Sequence, residues 1–167
     1  GADYIPEDNI LTRATPDKTY KLIEQCRDAN FNAIRVWGGG VYPRDAFFDA
    51  CDEMGIVVFQ DMMVACVTLS TTEEMKANFK AELYDNLRRI RHHASLALIS
   101  GNNEVEEMVA FDENIQDKPR VQEIYLEYFK RMIPKVVEEI CPSIPYIPSS
   151  PSTCGHFVDP RNENYGD

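Results

Sequence analysis

The sequence predicts an α/β fold in which parallel strands alternate with helices. Short runs rich in β-branched and aromatic residues are separated by longer stretches whose apolar residues recur at helical spacing. These separations are long enough for the crossover helix that parallel neighbouring strands require. The runs that predict strands are residues 31–37, 55–60, 95–100 and 144–149, and Tyr4 with Ile5 is expected to end an earlier strand.

The stretches between these runs have the period of amphipathic helices. Pro16 and Pro43 each suit the first turn of a helix, and Gly55 suits the end of the second one. Pro134 predicts a kink or break in the last helix. The predicted helices begin at Pro16 and at Pro43, and run from about Thr72 to Arg91 and from about Pro119 to Ile140. The residues predicted to face inward are Leu22, Ile23, Cys26 and Ala29, then Phe47, Phe48, Cys51 and Met54, then Met75, Phe79, Leu83, Leu87 and Ile90.

The strand at residues 31–37 distinguishes between two α/β architectures. Its period of two places Ile34 and Val36 on one face and Arg35 with Trp37 on the other. A charged residue on one face of a buried strand suits the polar upper layer of a barrel better than a sheet covered by helices on both faces. We therefore expect a partial (β/α)8 TIM barrel rather than a doubly wound sheet. A complete barrel has eight βα units in about 250 residues, and this chain offers about five.

Composition excludes several classes of protein. The chain has 167 residues with 44% hydrophobic and 27% charged side chains, which rules out a disordered tail or a collagen-like chain. Its apolar runs are far shorter than the roughly 20 residues of a membrane-spanning helix. A membrane is therefore not an expected partner. The formal charge of −11 would repel a phosphate backbone, so nucleic acid is not an expected partner either.

The cysteines do not predict a disulfide framework or a metal site. Five cysteines, an odd number without any CxxC spacing, are interpreted as small buried hydrophobic residues. We therefore expect neither a metal nor another cofactor. No signal peptide is visible at the Gly-Ala start, which slightly favours a cytoplasmic location.

Polar residues follow the carboxyl ends of several predicted strands, where a βα barrel places its active site. These groups are Arg35 with Trp37 and Gly38–Gly40, Gln60 with Asp61, Gly101 to Glu104, and Ser149 with Ser150 and Ser152. Each group alone has a simpler interpretation. The three glycines suit a turn, Asp61 suits a cap, Glu104 suits the start of a surface helix, and His92 with His93 suit an exposed helix end. Their convergence on one edge of the sheet is what predicts a site.

Taken together, these motifs resemble a known family. Arg35-Val-Trp-Gly-Gly-Gly40 and Gly101-Asn-Asn-Glu104 flank Gln60-Asp-Met62 in one chain. The other matching segments are Asp52-Glu-Met-Gly-Ile56, Ala65-Cys66, Ile147-Pro-Ser-Ser-Pro151 and Asn164-Tyr-Gly-Asp167. The sequence resembles the catalytic barrel of glycoside hydrolase family 2, and within that family it resembles the β-mannosidase branch.

The resemblance implies a role for each of five residues. Glu104 matches the general acid/base, which protonates the leaving oxygen and then acts as a base on water. Asn103 matches the residue that binds the sugar 2-hydroxyl. Trp37 matches an apolar wall of the sugar subsite, Asp61 a residue that binds sugar hydroxyls, and Arg35 one that orients the catalytic carboxylate; an internal ion pair is the alternative for Arg35.

The resemblance also implies that residues 1–167 form the N-terminal part of a TIM-barrel catalytic domain. Retaining glycosidases need two carboxylates about 5 Å apart, and the family nucleophile lies at the end of the seventh strand, beyond Asp167. We therefore expect the chain alone to be inactive. Two departures leave the acceptor-side contacts open: Val105-Glu-Glu-Met108 follows Glu104 where the branch often has Asn, and there is no Trp besides Trp37.

The expected ligand is a β-mannoside oligosaccharide or another β-glycoside. A β-galactosidase or β-glucuronidase of the same family is an alternative, and so is a noncatalytic half-barrel that serves as a scaffold. Because a partial barrel leaves strand edges open, self-association of the chain is also expected.

Overall fold

The computed structural model of the chain describes residues 1–158, in which one parallel sheet is flanked by helices. Each predicted strand is present, and its ends lie within two residues of the predicted ones. The strands are β1 (Ala2–Tyr4), β2 (Ala33–Val36), β3 (Val57–Asp61), β4 (Leu96–Ser100) and β5 (Tyr146–Ile147). The Asn164–Asp167 segment of the family motif lies outside the described residues.

The strand order is β1-β2-β3-β4-β5, and every pairing is parallel. Each strand therefore lies beside the one that precedes it, with no reversal of order such as a doubly wound sheet has. Parallel strands that follow one another around a sheet form a segment of a βα barrel. The predicted α/β fold is confirmed, and its strand order is that of a partial barrel.

The helices begin and end where local capping dictates. Thr15 and Thr72 accept hydrogen bonds from the backbone N–H groups of Lys18 and Met75, which caps α1 and α3. Gly55 ends α2 in the left-handed conformation, at φ 70°. The helices are α1 (Pro16–Asp28), α2 (Asp45–Met54), α3 (Glu73–Ile90), α4 (Val105–Phe111), α5 (Lys118–Tyr125) and α6 (Ile133–Ile140), with a 3-10 turn at Leu11–Arg13. The start predicted for α2 at Pro43 was early, because the helix begins at Asp45 and Arg44 is its N-cap residue.

Pro134 does not end the last helix. A π-helical stretch, Leu126–Met132, joins α5 to α6, so the chain remains helical from Lys118 to Ile140. Pro134 lies in the first turn of α6. Because proline has no N–H to donate to the preceding turn, the change of helical period directly before it satisfies the backbone without a break.

The core lies between the helices and the sheet face that carries Ile34, Val36 and Val58. Several predictions about buried residues were wrong. Ala29, at the end of α1, is exposed, and so are Cys66 and Cys154, whereas the other three cysteines are buried or half-buried. Met75 is 40% exposed, because it lies in the first turn of α3. His93 is buried: its ring stacks on Phe48 and its Nδ1 lies 2.7 Å from a carboxylate oxygen of Asp52. The other buried members include Ile23, Phe47, Cys51, Phe79, Leu83, Leu87, Ile90 and Ile99.

The opposite face of the sheet is open over its lower half. Ala33 and Val57, which are partners in the β2–β3 register, are both exposed, and Val57 retains 45% of its accessible surface. Above them the Arg35 guanidinium lies over the Phe59 ring, 5.2 Å from its centre. In a barrel this face would be the closed interior.

No helix within residues 1–158 combines the length and the apolar character needed to cross a bilayer.

The isolated chain is expected to self-associate at micromolar concentration. Strands β1 and β5 each have one free edge in the described sheet, and apolar surface on the open face gains about 25 cal/mol per Å² when buried. Light scattering or sedimentation measures the mass. Val57→Lys should weaken association, whereas Met75→Lys, a matched exposed position on α3, should not. A monomer with a cooperative melt at high temperature would contradict the expectation.

Candidate active site

The carboxyl ends of β2 to β5 converge, as the sequence predicts. Beyond β3 and β4 the strand pairing continues through isolated bridges that link Ala65 to Asn103 and Asn103 to Ser150. The N–H of Cys66 donates to the Asn103 carbonyl over 3.0 Å, and the Glu104 N–H donates to the Ser150 carbonyl over 3.0 Å. Three separate loops are thereby tied together at one edge of the sheet.

A buried ion pair lies at the centre of this edge. The Asp61 carboxylate has no exposed surface, and it accepts from Arg35 Nη2 at 2.8 Å, from Arg35 Nε at 3.3 Å and from the Gly38 N–H at 3.0 Å. Burial raises the pKa of Asp61, and the Arg35 guanidinium and the Gly38 N–H oppose that rise. A Cβ at position 38 would lie 2.7 Å from the carbonyl oxygens of Met62 and Val64, so only glycine can bring its N–H to the carboxylate.

Asn103 takes its orientation from Arg35. Arg35 Nη2 donates to Asn103 Oδ1 over 3.0 Å, and Arg35 thereby bridges Asp61 and Asn103. Asn103 is 6% exposed. Its Nδ2 group faces the Cys66 sulfur at 3.6 Å, because the guanidinium holds the oxygen on the other side.

Glu104 stands at the start of α4 with its side chain exposed at this edge. Its backbone adopts a left-handed conformation at φ 60°, which is uncommon for a residue other than glycine and recurs at functional sites. Glu104 Oε2 lies 3.2 Å from Cys66 Sγ. The rest of the Glu104 carboxylate has no protein partner among the described residues.

Asn102, next to these residues, is a structural member of the motif. Its buried side chain donates to the Pro148 carbonyl over 2.8 Å, and its Oδ1 accepts from the Val105 N–H at 2.9 Å and from the Ser149 hydroxyl at 2.6 Å. It therefore joins the end of β4, the first turn of α4 and the loop after β5.

Trp37 follows Arg35 by two residues, at the same end of β2. The indole covers Gly39 so closely that a Cβ there would lie 2.0 Å from the ring. Within residues 1–158 no hydrogen bond or ring contact joins the indole to Arg35, Asp61 or Glu104. Four of the five predicted site residues are therefore linked by hydrogen bonds: Asp61 to Arg35, Arg35 to Asn103, and Asn103 through Cys66 to Glu104. The fifth, Trp37, lies next to Gly38.

Sequence reasoning missed Glu106, which is a second buried carboxylate. It is 2% exposed and accepts from the Tyr125 and Ser152 hydroxyls at 2.6 and 3.0 Å, and from the backbone N–H groups of Thr153 and Gly155 at 3.0 Å each. The Thr153 hydroxyl also donates to it. Although burial raises the pKa of Glu106, these donors together hold it below its ordinary value. The sequence feature that could have indicated this site is the pair of hydroxyl residues Ser152 and Thr153 after a predicted strand, because both donate to Glu106.

Comparisons with known proteins show which proteins the chain resembles. The chain is 39% identical to the β-mannosidase B of Emericella nidulans over 159 residues, which cover 90% of this chain and 19% of that protein. It is 34% identical to the β-mannosidase of Capra hircus over 178 residues, covering all of this chain and 20% of that protein. The chain thus spans about one fifth of the length of the curated relatives it matches. No protein-family model matches it.

Solved structures give the same result. A β-D-mannosidase from Dictyoglomus thermophilum superposes on the entire chain with a TM-score of 0.83 at 31% identity, and the chain covers 19% of it. A Bacteroides uniformis β-glucuronidase superposes on 87% of the chain, and on 17% of its own length, with a TM-score of 0.67 at 17% identity, a level that concerns the fold alone. The resemblance to β-mannosidases of glycoside hydrolase family 2, and the partial barrel it implied, are confirmed.

Glu106→Gln is expected to destabilise the fold by about 1–3 kcal/mol at pH 7, because the amide nitrogen cannot accept from the donors around it. The wild-type contribution should be present above the unfolded carboxyl value of about 4.3, and it should be lost as pH falls through the lower pKa of the folded state. Urea unfolding followed by circular dichroism at pH 7 and at pH 3 measures both effects.

Glu107→Gln is the matched control, since Glu107 is half-buried, adjacent in sequence and without a hydrogen bond from its side chain within residues 1–158. Equal stability of the two variants at pH 7 would contradict an anchoring role for Glu106.

Proposed function

We propose that this chain, a β-mannosidase-like segment of a glycoside hydrolase family 2 barrel, supplies the general acid/base of a retaining β-mannosidase. The observation that carries the proposal is Glu104. Its carboxylate is exposed at the carboxyl edge of the sheet, while its backbone is held at positive φ by the Ser150 carbonyl. Residues 1–167 would then be the N-terminal part of the catalytic domain.

Glu104 would act twice in each turnover. As an acid it gives its proton to the glycosidic oxygen as the bond to the leaving group breaks, and as a base it removes a proton from the water that attacks the glycosyl-enzyme. One of its carboxylate oxygens is bonded to Cys66, so Oε1 is the oxygen available to the substrate.

Asn103 would bind the sugar. Because its Oδ1 is occupied by Arg35, the side-chain amide is fixed with one N–H of Nδ2 toward Cys66 Sγ, and the second N–H is left as a donor to a sugar hydroxyl. A donor that is already oriented stabilises the transition state without reorganising. The family role of Asn103 at the 2-hydroxyl fits this orientation.

For Arg35 and Asp61 we propose narrower roles than the resemblance implies. Asp61 has no exposed surface and both its oxygens are occupied, so it acts through Arg35 rather than on the sugar. Arg35 in turn orients Asn103. Trp37, half-buried against Gly39, remains the candidate for an apolar wall of the sugar subsite.

The nucleophile would come from chain beyond this segment. A retaining mechanism needs a second carboxylate about 5 Å from the first, and Asp61 cannot serve because it is buried and paired with Arg35. A β-mannoside is the proposed substrate, since the relatives at 34–39% identity are named β-mannosidases.

The purified 167-residue chain is expected to release no nitrophenol from nitrophenyl β-mannoside above background. An acid without its nucleophile cannot form the glycosyl-enzyme. The assay is run beside an intact β-mannosidase as a positive control. Turnover that Glu104→Gln abolishes would show that the chain already holds a complete site.

In a complete barrel that carries this segment, Glu104→Ala is expected to lower kcat/KM by about 10²–10⁴-fold for substrates with poor leaving groups, and far less for activated ones, since only the former need protonation. Azide should restore turnover and give a β-glycosyl azide. A panel of nitrophenyl and alkyl glycosides measures the difference and also reports which sugar is preferred.

Glu107→Ala, three residues along the same helix start, is the control and should leave the leaving-group dependence unchanged. Equal losses for Glu104→Ala on both types of substrate would return Glu104 to a structural role.

A further inference from the structure

Within residues 1–158, the Cys66 thiol is the group that hydrogen-bonds to the Glu104 side chain. Cys66 lies on the loop after β3, with a backbone φ of 51°, and its Sγ is 3.2 Å from Glu104 Oε2. Its backbone N–H is bonded to the Asn103 carbonyl, so the thiol is fixed relative to the end of β4. This placement depends on long-range pairing, since 38 residues separate Cys66 from Glu104.

The direction of the hydrogen bonds determines what the sulfur can do. Arg35 donates to Asn103 Oδ1, which turns the Asn103 amide so that Nδ2 points to Cys66 Sγ. With a donor on one side, the sulfur has its own S–H to give on the other side. The acceptor there is Glu104 Oε2, a carboxylate oxygen.

The protonation state of Cys66 fits this direction. Burial raises the pKa of the Cys66 thiol, and the hydrogen bond to Glu104 and the charge of Glu104 raise it further. The thiol therefore keeps its proton at neutral pH and is a donor rather than a thiolate nucleophile.

We propose that Cys66 is a positioning residue that holds the Glu104 carboxylate by a thiol hydrogen bond to Oε2 and leaves Oε1 to exchange the proton with the substrate. This inference rests on the function proposed for Glu104. Cys66 itself touches neither the sugar nor the reacting atoms. Its S–H bond fixes the rotation of a side chain that is otherwise exposed, and misplacing a catalytic group by a fraction of an ångström is costly.

The coupling is tested on the 167-residue chain by thiol alkylation. Glu104→Gln removes the negative charge beside the sulfur, so Cys66 should react about two- to fivefold faster with iodoacetamide at pH 8. Peptide mass spectrometry follows each cysteine separately. Cys154 is an internal control, because it is also exposed and also at positive φ, 56°, and its rate should not change. An unchanged Cys66 rate would overturn the proposal.

The consequence for catalysis is tested in a complete barrel that carries this segment. Cys66→Ala should lower kcat/KM for poor leaving groups by about fivefold, the loss expected for one weak hydrogen bond, and should leave activated substrates unaffected. Cys66→Ser, which keeps a donor, should restore activity to within about twofold of wild type. Cys154→Ala makes the same side-chain substitution at a residue with a similar φ, and it should have no effect.

The double variant separates the two proposals. Once Glu104 is alanine, Cys66→Ala should cause no further loss. If Glu104→Ala shows the leaving-group effect and Cys66→Ala does not, or if Cys66→Ala slows both substrate types equally, the inference about Cys66 is overturned alone. If Glu104→Ala lacks the leaving-group effect, the proposed function fails, and the inference fails with it.

Discussion

The arrangement of the strand ends depends on one carboxylate that solvent cannot reach. A buried Asp61 is stable as an anion only if it is paired, and Arg35 on the neighbouring strand provides the charge. The pairing fixes the guanidinium, the guanidinium fixes the Asn103 amide, and the amide faces Cys66, which is bonded to Glu104. Three loops are thus oriented by a single ion pair.

A second buried carboxylate supports the same edge from the other side. Glu106 binds the loop after β5 through Ser152, Thr153 and Gly155, and that loop accepts the Glu104 N–H at Ser150. Glu104 therefore stands between two anchored regions, while its own carboxylate stays exposed. The free-energy cost of burying a carboxylate falls on Asp61 and Glu106, which need not react. Glu104, the carboxylate proposed to react, remains accessible to substrate.

Much of the fold could be predicted from the sequence, because strand and helix periods reflect burial directly. Contacts between particular side chains that are far apart in the sequence could not be predicted. His93 was expected at an exposed helix end and is buried because Asp52, which is 41 residues away, reaches it. Glu106 resembled an ordinary acidic residue of a first helical turn, and its donors come 19 to 49 residues later. The convergence of Arg35, Asp61 and Asn103 was predictable from their places at strand ends, whereas their individual roles came from the family resemblance.

The sequential strand order also bears on how such a chain is made. Each described strand pairs with its immediate predecessor, so no strand has to wait for a distant partner before it can join the sheet. Each pairing closes only the one crossover between neighbouring strands, so a strand can pair once that crossover has been synthesised, and domains begin to fold from the N-terminus during synthesis. On a ribosome, the Arg35–Asp61 pair could form as soon as β3 emerges, and the chain that follows would meet a strand edge already in place.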